Sequence, residues 1–500
     1  MDTTVQTKTE TSEALDLKRF LSSMRLPTEL KEPRPMVKEG LEAVEEAVSD
    51  SDRFLSGMAA LLMNIDRKAG RFDKGAVQQV IARIDQMVNA QVNEIIHHPE
   101  FQSVEANWRS LYDLVRTTNF RAGVMIDLVD VTKQELHEDF EANAVDITGS
   151  ALFKKVYLAE YDQYGGKPNS AIVGLYEFAH TPGDEFWLRI MGKVAAASHS
   201  PFVGAVSPKF FGCETTEELA AVKDLEGLMS HPKYGSWNKL RESEEAAYVG
   251  LTLPRYVVRL PYSSDANPVA DLPAFEEEVH GHDSRDYVWG SAAILLAQNL
   301  VRSFTQSGWC QYLRGPKGGG LVSGLPVHTF SLRGQEEMKL PVEIAIPDYR
   351  ELEFANAGFI PLVYRKGTAD ACFFSCQSLK RPKKFKDPKD SEASQLVANL
   401  AYTFSIARIA HYVKCIMRDN IGSSADAPYI QRSLLNWIFQ YVTQVVNPDD
   451  LTTRSYPFKN AAVTVTPRDG MIGFYDCSIS VLPHIQFEGM DVELRMDTRL

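Results

Sequence analysis

The sequence predicts a mixed α/β fold, in part α+β, with long helices and a C-terminal antiparallel β segment. Three observations predict it. A strand, helix, strand order runs from Ala171 to Ser207, two long apolar helical stripes follow residue 391, and polar and apolar residues alternate in the strand candidates of the last forty positions. With 500 residues, 44% hydrophobic and 24% charged, the chain can bury a large core divided among two or three domains.

Residues 1–55 are rich in Glu, Thr, Ser and Lys, and read as a mobile arm with a helix or two. From Asp73 to His97, Val77, Val80, Ile81, Ile84, Met87, Val88, Val92 and Ile95 recur at three- and four-residue spacing and predict one long amphipathic helix. A second helix follows in FQSVEANWRSLYDLVRTT, its inward face predicted to carry Val104, Trp108, Leu111, Leu114 and Val115, and RAGVMIDLVDV then reads as β-rich. AIVGLYEF and PFVGAVS read as short buried strands joined by the helix EFWLRIMGKVAAASH. Such a crossover implies a parallel pair.

Residues 263–286 read as a polar acidic loop, and Asp286 as the start of a helix through Phe304. The apolar run Tyr287–Ala297 is too short for a membrane span of roughly 20 residues and predicts a buried helix. Leu340–Cys376 reads as short strands of a mixed or antiparallel sheet, and LKRPKKFKDPKD as a basic connector. Two long helices come next, capped by Ser391 and Asp426. AAVTVT, a PRDG turn, MIGFYDCSISVL and a closing strand complete the pattern. In that last strand Ile485 and Phe487 alternate with polar residues, and Met490, Val492, Leu494 and Met496 do so again after a phase shift at Gly489, where a bulge is expected. The expected domains are an arm 1–55, a core 56–390, a helical pair 391–450 and C-terminal strands 451–500. No internal repeat of fixed period is present.

Composition narrows function. A net charge of -13 argues against a general nucleic-acid binder, which shows a basic face. The first twenty residues lack an apolar signal core, so a cytoplasmic protein is expected, with its six scattered cysteines as reduced, buried thiols. The sequence holds no GxxxxGK[ST], GxSxG or HExxH. RGPKGGGLVSGLP is the nearest approach to a phosphate cradle, but no Ser or Thr follows its Lys317, and a tight turn explains it. EEEVHGHD gathers His280, His282 and Asp283 with three glutamates; a solvated loop accounts for it better than a metal site, although a metal-dependent α/β enzyme remains the alternative function. His97 and His98 point about 100° apart on a helix and make a poor chelating pair. No cofactor is expected.

The positive signal is architectural. An alternating strand so late in the sequence either stays in its own sheet beside MIGFYDCSISVL or offers an edge to another chain.

FQSVEANWRSLYDLVRTT with VMIDLVDVTKQEL, then LMSHPKYGSWNKLRESEEAAYVGLTLPRYVVRLPY, and the late RDNIGSS, resemble the large subunit of the type VI secretion contractile sheath, the TssC/VipB family, collinearly from about residue 60 onward. The resemblance implies a tail-sheath-like fold, similar to phage tail-sheath proteins, and a structural role without catalysis. It implies co-assembly with a small sheath subunit (TssB/VipA-like) and neighbouring sheath protomers around inner-tube hexamers (Hcp-like), attachment to a baseplate, and dismantling by an AAA+ unfoldase (ClpV-like), without membrane insertion. It further implies that Ile485, Phe487, Met490, Val492, Leu494 and Met496 belong to a strand shared between protomers.

Overall fold

The computed structural model describes residues 74–484 apart from 271, 444, 447, 472 and 473. Contacts divide the chain into one unit of residues 1–98 and 261–278 and a second of residues 99–260 and 279–500.

In the first unit the predicted amphipathic helix is present as α1, Lys74–Ile96. Its last turns bury Asn93 and Ile96 and leave Ile95 outside, a departure from the expected stripe. The reason is polar. The Asn93 amide donates to the Glu276 carbonyl at 3.2 Å and accepts from the Glu278 N–H at 2.9 Å, so this face grips the backbone of the acidic loop. The loop is therefore tethered rather than merely solvated: Glu277, its side chain 1% exposed, accepts from the Tyr262 N–H and pairs with His97 at 3.3 Å.

The second unit is built on a six-stranded mixed sheet of β1 (Ile172–Phe178), β2 (Phe202–Val206), β3 (Val249–Leu253), β4 (Leu321–Val322), β5 (Ile360–Tyr364) and β6 (Ala371–Phe373), in the order β1-β2-β3-β5-β6-β4. The first four strands in that order are parallel, and the last two join antiparallel. The parallel pair read from the sequence is β1 and β2. Between them runs α3, Pro182–Ser198, started by the Thr181 hydroxyl and a proline in the first turn and stopped at His199, whose φ of 50° is left-handed. α3 places Trp187, Met191 and Val194 on one sheet face, against Phe178, Phe202 and Phe210. The other face takes α4, Ala292–Ser307, through Ile294, Leu296 and Leu300. Helices on both faces are what a parallel sheet requires.

Several sequence readings need correction. Helix α2, Pro99–Thr117, forms as expected and buries Leu114 of the predicted face, but Val104 is 56% and Trp108 65% exposed and Val115 also lies outside, while Ala106 and Ser110 are buried instead. Small residues let α2 approach closely at Gly290, where an added Cβ would lie 2.7 Å from the Ser110 hydroxyl, and Val104 and Trp108 are left outside. The β-rich run 121–131 forms no strand and exposes Met125, Leu128 and Val129. Alternation alone cannot supply a pairing partner. Helix α4 starts at Ser291 rather than Asp286, and Trp289–Gly290 forms a short strand before it. Within the expected strands of 340–376 lies a helix, α5, Asp348–Asn356. The first long helix is two, α6 (Pro388–Ala398) and α7 (Leu400–Asp419), because Asn399 turns extended and its side chain caps α7. Asp387, not Ser391, caps α6. The second long helix, α8 (Ala427–Phe439), is capped by Asp426 as predicted but stops short of the predicted end at Val446. Of the thiols, Cys415 is exposed.

Helix α7 carries a buried titratable group. His411 lies 3.0 Å from the Ser198 carbonyl at the end of α3, and burial pushes its pKa down to about 4. The unfolded chain binds that proton more readily, so the neutral ring contributes stability that is full above pH 6.5 and is lost as pH falls toward 4. The loss is on the order of 3 kcal/mol. Urea midpoints measured between pH 7 and 4 should fall more steeply for the native chain than for His411→Gln; parallel slopes would contradict the assignment.

Candidate assembly surface

The C-terminal alternation is a hairpin. β7 (Phe458–Pro467) and β8 (Tyr475–Pro483) pair antiparallel, Val463 opposite Ile479 and Pro467 opposite Tyr475. The turn is longer than the PRDG reading: β8 begins at Tyr475, so Met471 belongs to the connection and not to the strand. Gly470, with φ 79°, makes the reversal there.

One face of the hairpin packs on α8 and α7. Phe458, Ala461, Val463 and Val465 of β7 are buried with Leu434 and Ile438 of α8 and Ile409 of α7. Trp309 meets Phe458 edge-on at 5.1 Å and Tyr441 at 5.0 Å, and the Gln431 amide donates to the Val463 carbonyl at 2.9 Å. These contacts fix which face of β7 turns inward. An irregularity between Phe458 and Asn460 sets the phase of the strand.

β8 is different. Its inward residues, Tyr475, Cys477, Ile479 and Val481, are only half buried although they continue the same apolar face. Among the described residues its outer edge has no ladder partner, since this sheet has two strands. A further strand beside β8 would satisfy that edge and complete the burial of its inward face. His484, the last described residue, donates its N–H to the Pro457 carbonyl at 2.9 Å, next to the Phe458–Pro483 pair that ends the ladder of β7 and β8. Ile485, Phe487, Met490, Val492, Leu494 and Met496 lie outside the described residues.

The other sequence candidates do not converge. His280, 72% exposed at its side chain, pairs with Asp286 at 3.1 Å, and Asp283 forms a two-pronged ion pair with Arg285 that holds its carboxyl well below the usual range. His282 is exposed. Among the described residues no three His, Cys, Asp or Glu side chains are placed to hold a metal, and no helix is long and apolar enough to cross a membrane. The glycine-rich loop is a packed turn. Gly319, at φ 97°, lies where a Cβ would come 2.1 Å from the Tyr312 carbonyl oxygen. Lys380, first of the basic run, is buried against Glu244, while residues 381–390 are exposed.

Comparison with known proteins bears on this surface. Residues 78–380 match the VipB tail sheath N-terminal domain, and residues 389–500 match the VipB tail sheath gpW/gp25-like domain. The chain belongs to the VipB tail sheath family. A VipB-family chain is a structural subunit of the type VI secretion sheath, and the enzyme alternative finds no support. The type VI secretion system sheath protein TssC1 of Pseudomonas aeruginosa is 40% identical over 476 residues, covering 94% of this chain and 94% of the relative. Among solved structures, chains from the baseplate and from the contracted helical sheath of the anti-feeding prophage are similar, with TM-scores of 0.37 and 0.33 at 11% identity. They cover 75% and 76% of this VipB-family chain and 84% and 87% of their own.

Proposed function

We propose that this chain is the large subunit of a cytoplasmic contractile sheath, built with a small sheath subunit into a helical tube around stacked inner-tube hexamers on a baseplate, and that residues 485–496 are its exchanged strand. The half-buried inward face of β8, beside an edge with no partner among the described residues, carries the reading. Strand addition uses what that edge offers: main-chain hydrogen bonds hold the ladder, and alternate side chains fix its register. A head-to-tail contact of this kind does not close on itself, which a tube needs.

Contraction asks no catalytic group of this chain. The driving energy lies in many small differences of burial and ion pairing between two packings of the same protomer, and shared ladders keep the lattice joined while subunits rotate. ATP hydrolysis belongs to an AAA+ unfoldase that takes the contracted tube apart.

Negative-stain electron microscopy of the chain purified alone and co-expressed with its small subunit tests this reading. Tubes or cogwheel-like rings only in the co-expressed sample are expected. A compact particle indifferent to the partner would overturn it.

A further inference from the structure

A cavity of about 1030 Å³ opens in the second unit between the glycine-rich loop, α5, the start of the basic run and residues 450–454. Five cationic side chains line it, Arg241, Arg314, Lys317, Lys380 and Arg454, against three carboxylates; the Lys380 ammonium is already paired with Glu244, which leaves the other four to set the sign. One of those three is partly silenced: burial raises the Glu351 carboxyl above its usual range. Arg241 and Arg314 are both buried, so part of this positive charge is shielded from solvent. The rim adds more. Lys380 and Pro382 belong to the lining, and the exposed residues that follow carry Arg381, Lys383, Lys384, Lys386 and Lys389 against Asp387 and Asp390. In a chain of net charge -13 this is a local reversal of sign.

His484 also lines the cavity, so the described chain stops at its wall. The next sixteen residues carry Glu488, Asp491, Glu493 and Asp497 against Arg495 and Arg499, with apolar residues between them. Residues 485–491 can reach about 23 Å when extended, more than enough to cross a space of this volume. A tether this short holds its acidic groups at roughly millimolar effective concentration.

We propose that in the unassembled subunit the acidic segment 485–497 of the same chain docks in this cavity, sheltering the exchanged strand until a partner edge draws it out. The inference rests on the strand-exchange reading of residues 485–496 and adds where that segment waits. Docking in the cavity and pairing beside a β8 edge exclude one another, so the cavity sets a threshold for assembly. Sheltering also keeps an apolar strand from pairing at random with edges of other copies.

Photo-crosslinking separates the two ideas. The full chain, carrying a benzophenone amino acid in place of Phe487 or Val492, is prepared as an equal mixture of nitrogen-14 and nitrogen-15 protein, before and after addition of the small subunit, and crosslinks are mapped by mass spectrometry. Before assembly, single-isotope crosslinks to residues 314–318 or 348–356 are expected. Lys317→Glu with Arg454→Glu should lower their yield about fivefold, as loss of about 1 kcal/mol of ion pairing would. Asp491→Lys with Glu493→Lys in an otherwise native cavity should do the same, which covers the case in which the cavity variant folds poorly. After assembly, mixed-isotope crosslinks to β8 should replace them. No single-isotope cavity crosslink before assembly overturns the docking proposal. Absence of mixed-isotope crosslinks to β8 after assembly overturns strand exchange instead, whatever the first sample shows.

Discussion

Removal of residues 490–500 is expected to abolish tube formation with the small subunit while leaving the six-stranded sheet folded. Electron microscopy should show no tubes or rings, and circular dichroism and the urea midpoint should stay close to those of the full chain. The argument starts at β8, whose four inward residues are half buried although they continue the face that β7 buries fully. A partner strand would cover them and supply main-chain hydrogen bonds each worth about 0.5–1.5 kcal/mol. A strand of this length then contributes several kcal/mol per contact, and a lattice repeats that contact at every protomer. Point changes sharpen the test through the two-residue period. Val492→Asp places a charge among Met490, Leu494 and Met496, whereas Glu493→Asp alters only the opposite face. Assembly should be lost in the first and kept in the second. Tubes of normal length from the truncated chain would remove this segment from the proposed interface.

What the sequence could and could not convey follows from which forces are local. Crossover length and alternation gave β1, α3, β2 and the hairpin strands, because parallel pairing demands a long connection and a half-buried strand has a period of two. The face of α2 was misread for a tertiary reason. Val104 and Trp108 continue the stripe that buried Leu114 belongs to, and the close approach at Gly290 puts small Ala106 and Ser110 inside in their place. The run 121–131 alternates like a strand and yet has no neighbour, a fact held by the rest of the fold. Asn399 could have been found: an Asn inside a helical stripe is an ordinary cap signal, outweighed by the apolar residues around it. The cationic cavity was not legible at all, since Arg241, Arg314, Lys380 and Arg454 are separated by up to about two hundred residues and meet only through the sheet.

The mounting of the hairpin leads to the second large effect. Leu434 is fully buried in α8, beneath Val463 and Val465 of β7, and Leu434→Ala is expected to cost about 2–5 kcal/mol through lost burial and the cavity left behind. That cost should fall unevenly. The cluster around Leu434 is separate from the two clusters on the faces of the six-stranded sheet, so the hairpin can loosen while β1, β2 and β3 keep their own cores. Hydrogen exchange should therefore accelerate in residues 458–483 and stay near native rates in 172–178 and 202–206. Co-assembly should fall with it, because a ladder shared between protomers transmits rotation only if the hairpin is held rigidly to its subunit. Ile438→Val, which removes one methyl group from the same cluster, should cost only about 0.5–1.5 kcal/mol and leave assembly intact. If Leu434→Ala instead raised exchange equally in the central strands, the hairpin and the sheet would form one cooperative unit, and contraction would have to carry the whole protomer as a single body.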